Sequence, residues 1–442
     1  MKLDKIKIYK EQLQNKVRHD GEDMYFYDEQ KAVWKCYTGH LAVMEVKKIL
    51  EVSAGTRNIS GPEAKTLLAD LICDPQFYKP LTAQPTYLFN CKNGVFNLSG
   101  KKISEPLSDF KFQLDFKYLE EATPAQCKVF SEFLSTAFNI NHKDDYSELF
   151  KCNSVVRLME MIGYMVSNEY RAKKLLVILG PANSGKSQLL ELLRKVIGEE
   201  NTVALTLDDL SGQGHSRFRT ELLQKAHALI NDELPTKGLK NLAELKKIIA
   251  GESITVEAKG ARPKTIKNHT KLIFAGNQLP ELDEPDCGNA FADRICLVAF
   301  KQSIPADKKD VDLLDKLYAE RDAIFSLALN YYNKMRKNNL TFTSDKAAEE
   351  ILQAYKDDNA SVITFIRDRD FIEQGPDKKV HTNTLFEHYQ AYCDGASLNP
   401  VKSLKSFRQQ LLSLPEIAGI RKQRLAGDKN PCSVVLGVSL VS

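Results

Sequence analysis

Leu175-Leu176-Val177-Ile178-Leu179-Gly180-Pro181-Ala182-Asn183-Ser184-Gly185-Lys186-Ser187 reads as an apolar strand running into a loop of the form G-x-x-x-x-G-K-S. Helical periodicity follows at once over Ser187–Ile197. Strand, glycine-bounded loop and helix N-terminus in that order make a phosphate cradle. The glycines let the loop curl so that several of its N–H groups point inward. Lys186 brings a point charge to the β- and γ-phosphates, and the Ser187 hydroxyl completes a Mg2+ shell. The helix adds its positive N-terminal end. Leu189, Leu193, Val196 and Ile197 recur at helical spacing, and Gly198 is placed to stop the helix. A chance Gly-Lys-Ser in a surface loop would lack this context, so residues 180–187 predict a bound nucleoside triphosphate with Mg2+.

The remaining composition narrows the class. The 442 residues suffice for two to four domains at roughly 150 residues each, and 43% hydrophobic with 27% charged is globular. Met1–Lys7 has no apolar core, so it does not read as a secretory signal, and no run approaches the ~18 apolar residues of a membrane span. Nine cysteines are scattered without a C-x-x-C pair or matching histidine spacing. The expectation is free thiols in a reducing cytoplasm, with neither a disulfide framework nor a zinc site. Net charge is only +4, but Pro400–Ser442 carries seven Lys/Arg against two acids, a local +5.

Along the chain, Tyr25–Tyr27 and Val33–Tyr37 suggest a hairpin, Leu41–Leu50 a helix, and Tyr87–Leu98 two strands around Asn93-Gly94. Ala125–Phe138 and Val155–Val166 read as helices. From Leu175 to about Phe300 strands alternate with helices, which argues a mostly parallel sheet. Lys301–Asp312 reads as a linker or lid, Leu313–Arg336 as a long helical region, and Asn338–Lys346 as a hinge before a separate C-terminal domain.

Three features downstream of the cradle complete a hydrolytic site. Ala226–Glu233 is a second apolar strand ending in two carboxylates. At the tip of a neighbouring parallel strand, Asp232 would hold magnesium and Glu233 would polarise the attacking water, the roles being exchangeable. Lys271–Asn277 is a third strand, and Asn277 either contacts the γ-phosphate and orients the water or is a plain turn residue before Leu279-Pro280. Arg294 either reaches a neighbouring subunit's nucleotide as a finger or pairs with Asp293 on the surface.

The order of these elements resembles superfamily 3 helicases, in particular the helicase part of phage, satellite and plasmid primase-helicases and the poxvirus nucleoside triphosphatase. The residues that carry the resemblance are Asn93–Leu98, Met161–Tyr164, Gly180–Ser187, Phe218 with Leu222 before Asp232-Glu233, Gly276–Pro280, and Asp293-Arg294-Ile295 ahead of Phe300. The resemblance implies hexameric rings that unwind DNA with ATP, moving 3′ to 5′. Relatives often carry a doubled arginine where this chain has Asp293-Arg294. No primase domain precedes the helicase part in these residues, so either a separate primase acts or the chain is a piece of a longer protein.

Two basic segments are candidate DNA contacts. Between Glu257 and Leu272 stand Lys259, Arg262, Lys264, Lys267 and Lys271 with no acid, flanked by strand-like Ile254–Val256 and Leu272–Phe274. Such a hairpin would carry charge into a ring channel and neutralise single-strand phosphates without reading bases, Lys259 and Arg262 at the tip, then Lys264 and Lys267. A solvated basic loop is the competing reading. Near the C-terminus a helix starting at Asn399-Pro400 has Leu404, Phe407, Leu411 and Leu412 on its apolar face, with Lys405 and Arg408 elsewhere. With the Thr384–Cys393 helix and strands Ile420–Leu425 and Ser433–Val441 it suggests a winged helix for duplex origin DNA, or a packing domain with a basic surface.

The reading is an α/β protein: an AAA+-like P-loop NTPase core at 151–340 with a mostly parallel sheet, a mixed α+β N-terminal domain at 1–150, and a winged-helix module at 345–442. The expected activity is that of a cytoplasmic, ring-forming ATP-dependent helicase serving a mobile genetic element. The alternatives are an ATP-switched origin-binding protein that melts or marks DNA, and, more remotely, a small-molecule phosphotransferase.

Overall fold

The computed structural model describes the chain apart from residues 1–2, 22, 55–58, 81–84, 104–108, 142–145, 212–218, 225, 236–238, 240–241, 258–262, 283–287, 306–308, 397, 399, 402 and 442, and the side chains of 3–4, 53–54 and 358–360. It divides into two compact units. One comprises Met1–Glu121, Val166–Glu169 and Lys195–Gly198, and the other comprises Ala122–Met165, Tyr170–Arg194 and Glu199–Ser442.

In the first unit β1 (Val17–His19), β2 (Met24–Asp28) and β3 (Val33–Tyr37) form an antiparallel meander beside helices Leu3–Leu13, Gly39–Ala54 and Gly61–Ile72. Leu13, Val17, Phe26, Val46, Leu67 and Leu71 share one core. The third helix starts where its residues require. Ser60 accepts the Glu63 N–H, Glu63 returns to the Ser60 N–H, and Pro62 stands in the first turn. The expected hairpin around Asn93-Gly94 is β4 (Leu88–Cys91) with β5 (Gly94–Asn97), joined by β6 (Lys102–Ile103). Asn93 is fixed from the side, its Oδ1 accepting the Tyr118 N–H and its Nδ2 donating to Tyr118 O, both at 2.9 Å.

The second unit is built on a parallel sheet of β7 (Leu175–Leu179), β8 (Thr202–Val203), β9 (Ala228–Asn231), β12 (Lys271–Gly276) and β13 (Ile295–Ala299), in the order β13-β7-β12-β9-β8. β7 is buried at all five positions and β12 at its first five. Continuous apolar runs are what a parallel sheet covered on both faces demands. β10 (Ser253–Val256) and β11 (Lys264–Lys267) make a separate antiparallel hairpin.

Helix Asn153–Val166 crosses helix Arg321–Lys337 very closely: a Cβ at Gly163 would lie 2.2 Å from Ala328 O and 2.6 Å from Tyr332 Cβ. Two basic side chains at the far end of the sheet complete the last turn of the 153–166 helix. Lys271, 4% exposed, donates to Tyr164 O at 3.0 Å, and His227 Nε2 lies 2.8 Å from Met165 O. Orphan carbonyls at a helix C-terminus are satisfied by such donors. Burial, with Lys271 nearby, holds the His227 pKa well below its usual value. The long helical region 313–336 is two helices, Leu313–Ala319 and Arg321–Lys337. Glu320 between them accepts the Val129 and Phe130 N–H groups at 2.9 Å, capping helix Lys128–Phe138.

The C-terminal part runs helix Lys346–Arg367, β14 (Ile372–His381), helix Thr382–Ala396, helix Leu404–Leu411, β15 (Gly419–Gln423) and β16 (Cys432–Leu440), with sheet order β14-β16-β15. β14 escaped the sequence reading because it contains Gly375-Pro376 and is buried only at Ile372 and Val380. The short helix begins at Leu404 rather than at Asn399-Pro400, since the Ser403 side chain accepts the Ser406 N–H and supplies the cap. Phe407 and Leu411 are buried, Leu404 is half-buried, and Leu412 is exposed, off the expected apolar face.

Candidate active site

Open α/β sheets bind ligands beyond the carboxyl ends of their strands, and the 180–187 loop, Asp232-Glu233 and Asn277 follow the carboxyl ends of neighbouring strands on that edge. β7 ends at Leu179 and passes into Gly180, whose N–H donates to Gly276 O at the tip of β12, 3.2 Å away. Asn183 (φ +60°) and Gly185 (φ +90°) turn the loop through left-handed conformations before helix Lys186–Ile197 begins. Gly185 is needed twice over: its φ disfavours a side chain, and a Cβ there would lie 2.4 Å from the Phe133 ring. Ser303 Oγ donates to Ala182 O at 2.7 Å, and Ile304 N–H to Asn183 O at 2.8 Å, so the segment after β13 braces the loop from outside.

Lys186, 9% exposed, sends its ammonium back along the loop to Gly180 O and Pro181 O, each at 2.7 Å, and to Ser184 Oγ and Asn277 Oδ1, each at 3.3 Å. Desolvation lowers its pKa from the ordinary lysine value. Asn277 therefore stands one side chain away from the cradle lysine although 91 residues separate them. Ser187, at the first turn of the helix, is exposed.

β9 lies on the other side of β12, with Asn231 opposite Phe274. Asp232 and Glu233 leave the strand there, both exposed, and Leu234 packs so close to Gly276 that a Cβ there would lie 2.9 Å away. The Asn231 side chain sets this exit: Oδ1 accepts the Glu233 N–H at 2.9 Å, and Nδ2 donates to Leu205 O at 3.1 Å. The cradle, the two carboxylates and Asn277 thus occupy three adjacent strand tips, β7, β12 and β9.

Arg294 is elsewhere. It immediately precedes β13, its carbonyl accepts the Leu175 N–H at 2.8 Å, and its guanidinium donates to Ala290 O at 2.7 Å. It therefore sits at the amino edge of the sheet. Five residues of β7 at ~3.3 Å each put it roughly 16 Å from the loop of its own chain. The expected partner Asp293 is instead bound by Lys356 at 2.6 Å.

The basic hairpin exists, with a different return strand. Val256 pairs with Lys264 and Ser253 with Lys267, while Leu272–Phe274 belong to the central sheet. Ile254 and Val256 are buried and Ile266 packs on the same core, a period-two pattern that puts Lys264 and Lys267 on opposite faces. Lys267 is exposed and Lys264 half-buried. Buried Asn268 anchors the base through Nδ2 to Ile248 O, 2.8 Å. The last base of the run, Lys271, is no part of the hairpin, because it lies inside under Tyr164. Lys259, Arg262 and Phe218 lie outside the described residues. Lys405 and Arg408 are exposed on helix 404–411, opposite Phe407 and Leu411.

One lining was not foreseen. A cavity of about 900 Å³ opens from Gly180, Pro181 and Asn277 and is walled on the far side by Tyr355, Val401, Ser406 and Gln410. Gln410 is 3% exposed, and its Oε1 has no hydrogen-bond partner among the described residues. Tyr355 donates to Pro280 O at 2.7 Å, tying the 346–367 helix to the segment after Asn277. Ser406 and Gln410 are one helical turn apart, a spacing visible in sequence, but nothing local says that their face meets the cradle.

Residues 178–290 match a family model described only as a family of unknown function, DUF5906. Over 293 residues, 62% of its length, the chain is 25% identical to the putative helicase L207/L206 of Acanthamoeba polyphaga mimivirus. The chain spans only 29% of that protein. Among solved structures it is similar to apo forms of the NrS-1 C-terminal region, at 11–12% identity and TM-scores of 0.44–0.45, covering 97–99% of this chain and 98–100% of those. That likeness is too slight to bear on function. The chain has a helicase-named relative and an α/β core with a five-stranded parallel sheet. Among the described residues no helix is long and apolar enough to cross a membrane.

Proposed function

We propose that the chain is an ATP-driven DNA helicase of the superfamily 3 type that assembles as a ring, acting 3′ to 5′ in the replication of a mobile element. One observation carries the reading: the Lys186 ammonium and the Asn277 amide lie 3.3 Å apart across adjacent strand tips, with Asp232-Glu233 leaving the next strand. In this reading the residues of 180–187 hold the triphosphate, and Lys186 moves from its loop carbonyls to the phosphate oxygens. Ser187 and Asp232 offer hard oxygen donors suited to Mg2+. Magnesium, when bound, neutralises charge on the phosphate oxygens. Glu233 takes the proton of the attacking water, and Asn277 positions that water or the γ-phosphate.

The strand order β13-β7-β12-β9-β8 supports an AAA+-like core. Arg294, remote from its own cradle, suits a finger given to the next protomer, so the active unit would be a homo-oligomer, a hexamer by family resemblance. The 253–267 hairpin would carry Lys264 and Lys267, with Lys259 and Arg262, toward single-stranded DNA. The order helix, strand, helix, helix, strand, strand over 346–440 supports a winged helix. Lys405 and Arg408 would then face duplex origin DNA. Priming by a separate protein or by a further part of a longer chain, and action in the cytoplasm, belong to the same proposal.

The deciding experiment is ATPase and forked-duplex strand displacement with and without single-stranded DNA. DNA-stimulated turnover with displacement supports the helicase; slow, DNA-indifferent turnover without displacement overturns it. That second outcome would favour an ATP-switched origin-binding protein, which has its own support in the cavity linking the loop to Ser406 and Gln410 of the C-terminal part.

A further inference from the structure

Three metal-ligating side chains from separate places in the C-terminal sheet converge. His381 is the last residue of β14, Asp428 lies in the turn between β15 and β16, and Cys432 is the first residue of β16. One ligand atom from each falls within 4.8 Å of the other two, and His381 Nε2 is 3.1 Å from Asp428 Oδ1.

The surroundings pre-position the group. Asp428 Oδ2 accepts the Leu425 N–H at 2.8 Å, which fixes the carboxylate and leaves Oδ1 facing the imidazole. The residues that follow His381 and Cys432, Thr382 at the start of the next helix and Ser433 on β16, are tied by their hydroxyls, Thr382 Oγ1 and Ser433 Oγ lying 2.9 Å apart. Cys432 Sγ is a thiol donating to Asn430 O at 3.5 Å, a weak bond that a small χ1 rotation would release.

We propose that His381, Asp428 and Cys432 form a zinc site that staples the β15–β16 turn to the end of β14. An imidazole nitrogen, a carboxylate oxygen and a thiolate sulfur are donors for Zn2+, with bonds of about 2.0–2.3 Å. In a tetrahedron such bonds separate the donor atoms by roughly 3.3–3.7 Å. The His381–Asp428 distance is already near that, and the sulfur, within 4.8 Å of both, has at most about 1 Å to travel. Magnesium and calcium prefer all-oxygen shells and are disfavoured by nitrogen and sulfur. With three protein ligands, water would fill the fourth position, exposed Cys432 leaving the group open to solvent. Binding replaces the thiol proton by the metal, and that proton goes to solvent. The ion would order a turn whose neighbours Arg421, Lys422, Arg424 and Lys429 are all exposed and basic, so it would shape a cationic edge suited to phosphates. Spacing alone concealed the site, since its ligands sit on two strands and a turn, and one of them is an aspartate.

The test uses the full chain, stripped with chelator and held in excess Mg2+, titrated with Co2+ as a spectroscopic probe and then with Zn2+. The expected result is one Co2+ per chain with a thiolate-to-cobalt charge-transfer band that Zn2+ abolishes. Cys432→Ser should lose the band, His381→Ala should weaken binding tenfold or more, and Cys73→Ser, at an exposed cysteine of the N-terminal unit, should leave both unchanged. Metal-free melting curves matching wild type establish that the variants fold. Zinc should also protect the 424–431 turn from proteolysis in wild type but not in Cys432→Ser. No charge-transfer band in wild type, or a band surviving in Cys432→Ser, overturns the proposal and leaves His381–Asp428 a hydrogen-bonded pair beside a surface thiol.

Discussion

Mixing two variants, each expected to be inactive, tests whether the proposed nucleotide site is shared between subunits. Arg294 lies at the amino edge of the sheet, its carbonyl bonded to Leu175 N, whereas the cradle begins after Leu179. At ~3.3 Å per residue the separation is about 16 Å, too far for Arg294 to serve its own cradle. Arg294→Ala should therefore cut turnover by about a thousandfold, the lower range for loss of an arginine finger. Lys186→Ala should cut it by at least a hundredfold, as losses of single charge-stabilising donors do. In a head-to-tail assembly each site takes Lys186 from one subunit and Arg294 from the next. Random mixing at equal amounts makes half of the subunits competent for each role, so about a quarter of the boundaries are intact. ATPase should then recover to about 25% of wild type, rising and falling with the mixing ratio, if sites fire independently. The assay is steady-state phosphate release after co-refolding or subunit exchange, with native mass confirming mixed oligomers. Mixed oligomers with activity no greater than the two parents together would refute the shared site.

Other outcomes are equally concrete. Gly163→Ala should destabilise the second unit by about 2 kcal/mol or more and lower its melting temperature by several degrees. The new methyl meets backbone at 2.2 Å, an overpacking cost of ~1–3 kcal/mol or above that exceeds the ~1 kcal/mol helix-propensity gain; an unchanged melt would mean that the two helices separate freely. Lys267→Gln should reduce the salt slope of single-strand binding by about 0.7, the share of one phosphate contact; an unaltered slope takes this strand of the hairpin out of the DNA path. His227, buried with a depressed pKa, stays neutral in the fold and protonates below its ordinary ~6.5 only when unfolded. Stability from it is complete above pH 6.5 and lost as pH falls, by up to about 1.4 kcal/mol per unit; His227→Gln should flatten that slope in denaturant melts between pH 6.5 and 5, and an identical slope would exonerate the histidine. Gln410→Leu should change the nucleotide dependence of duplex binding more than ATPase itself, measured by anisotropy with and without nucleotide; equal effects on both would argue against coupling through the cavity.

Local sequence already defined much of this protein, because local chemistry governs strands, caps and phosphate loops. The run Leu175–Leu179 must be buried on both faces, Gly185 must turn left-handed, and Asn93-Gly94 must reverse the chain, whatever surrounds them. The same local logic misassigned the hairpin's return strand: Lys264–Lys267 carries too few apolar residues to advertise itself, and the stronger run at Leu272–Phe274 was taken by the sheet. Lys271 looked like part of a basic surface, yet it lies inside, its charge held by Tyr164 O, a carbonyl more than a hundred residues earlier. Which strand lies beside which belonged to the tertiary structure, and with it the meeting of Lys186 with Asn277, the placing of Arg294 at the opposite edge and the convergence of His381, Asp428 and Cys432. Residues distant in the chain exert no force on one another until packing brings them within a few ångströms, so sequence names the reactive groups while only the folded sheet decides their neighbours.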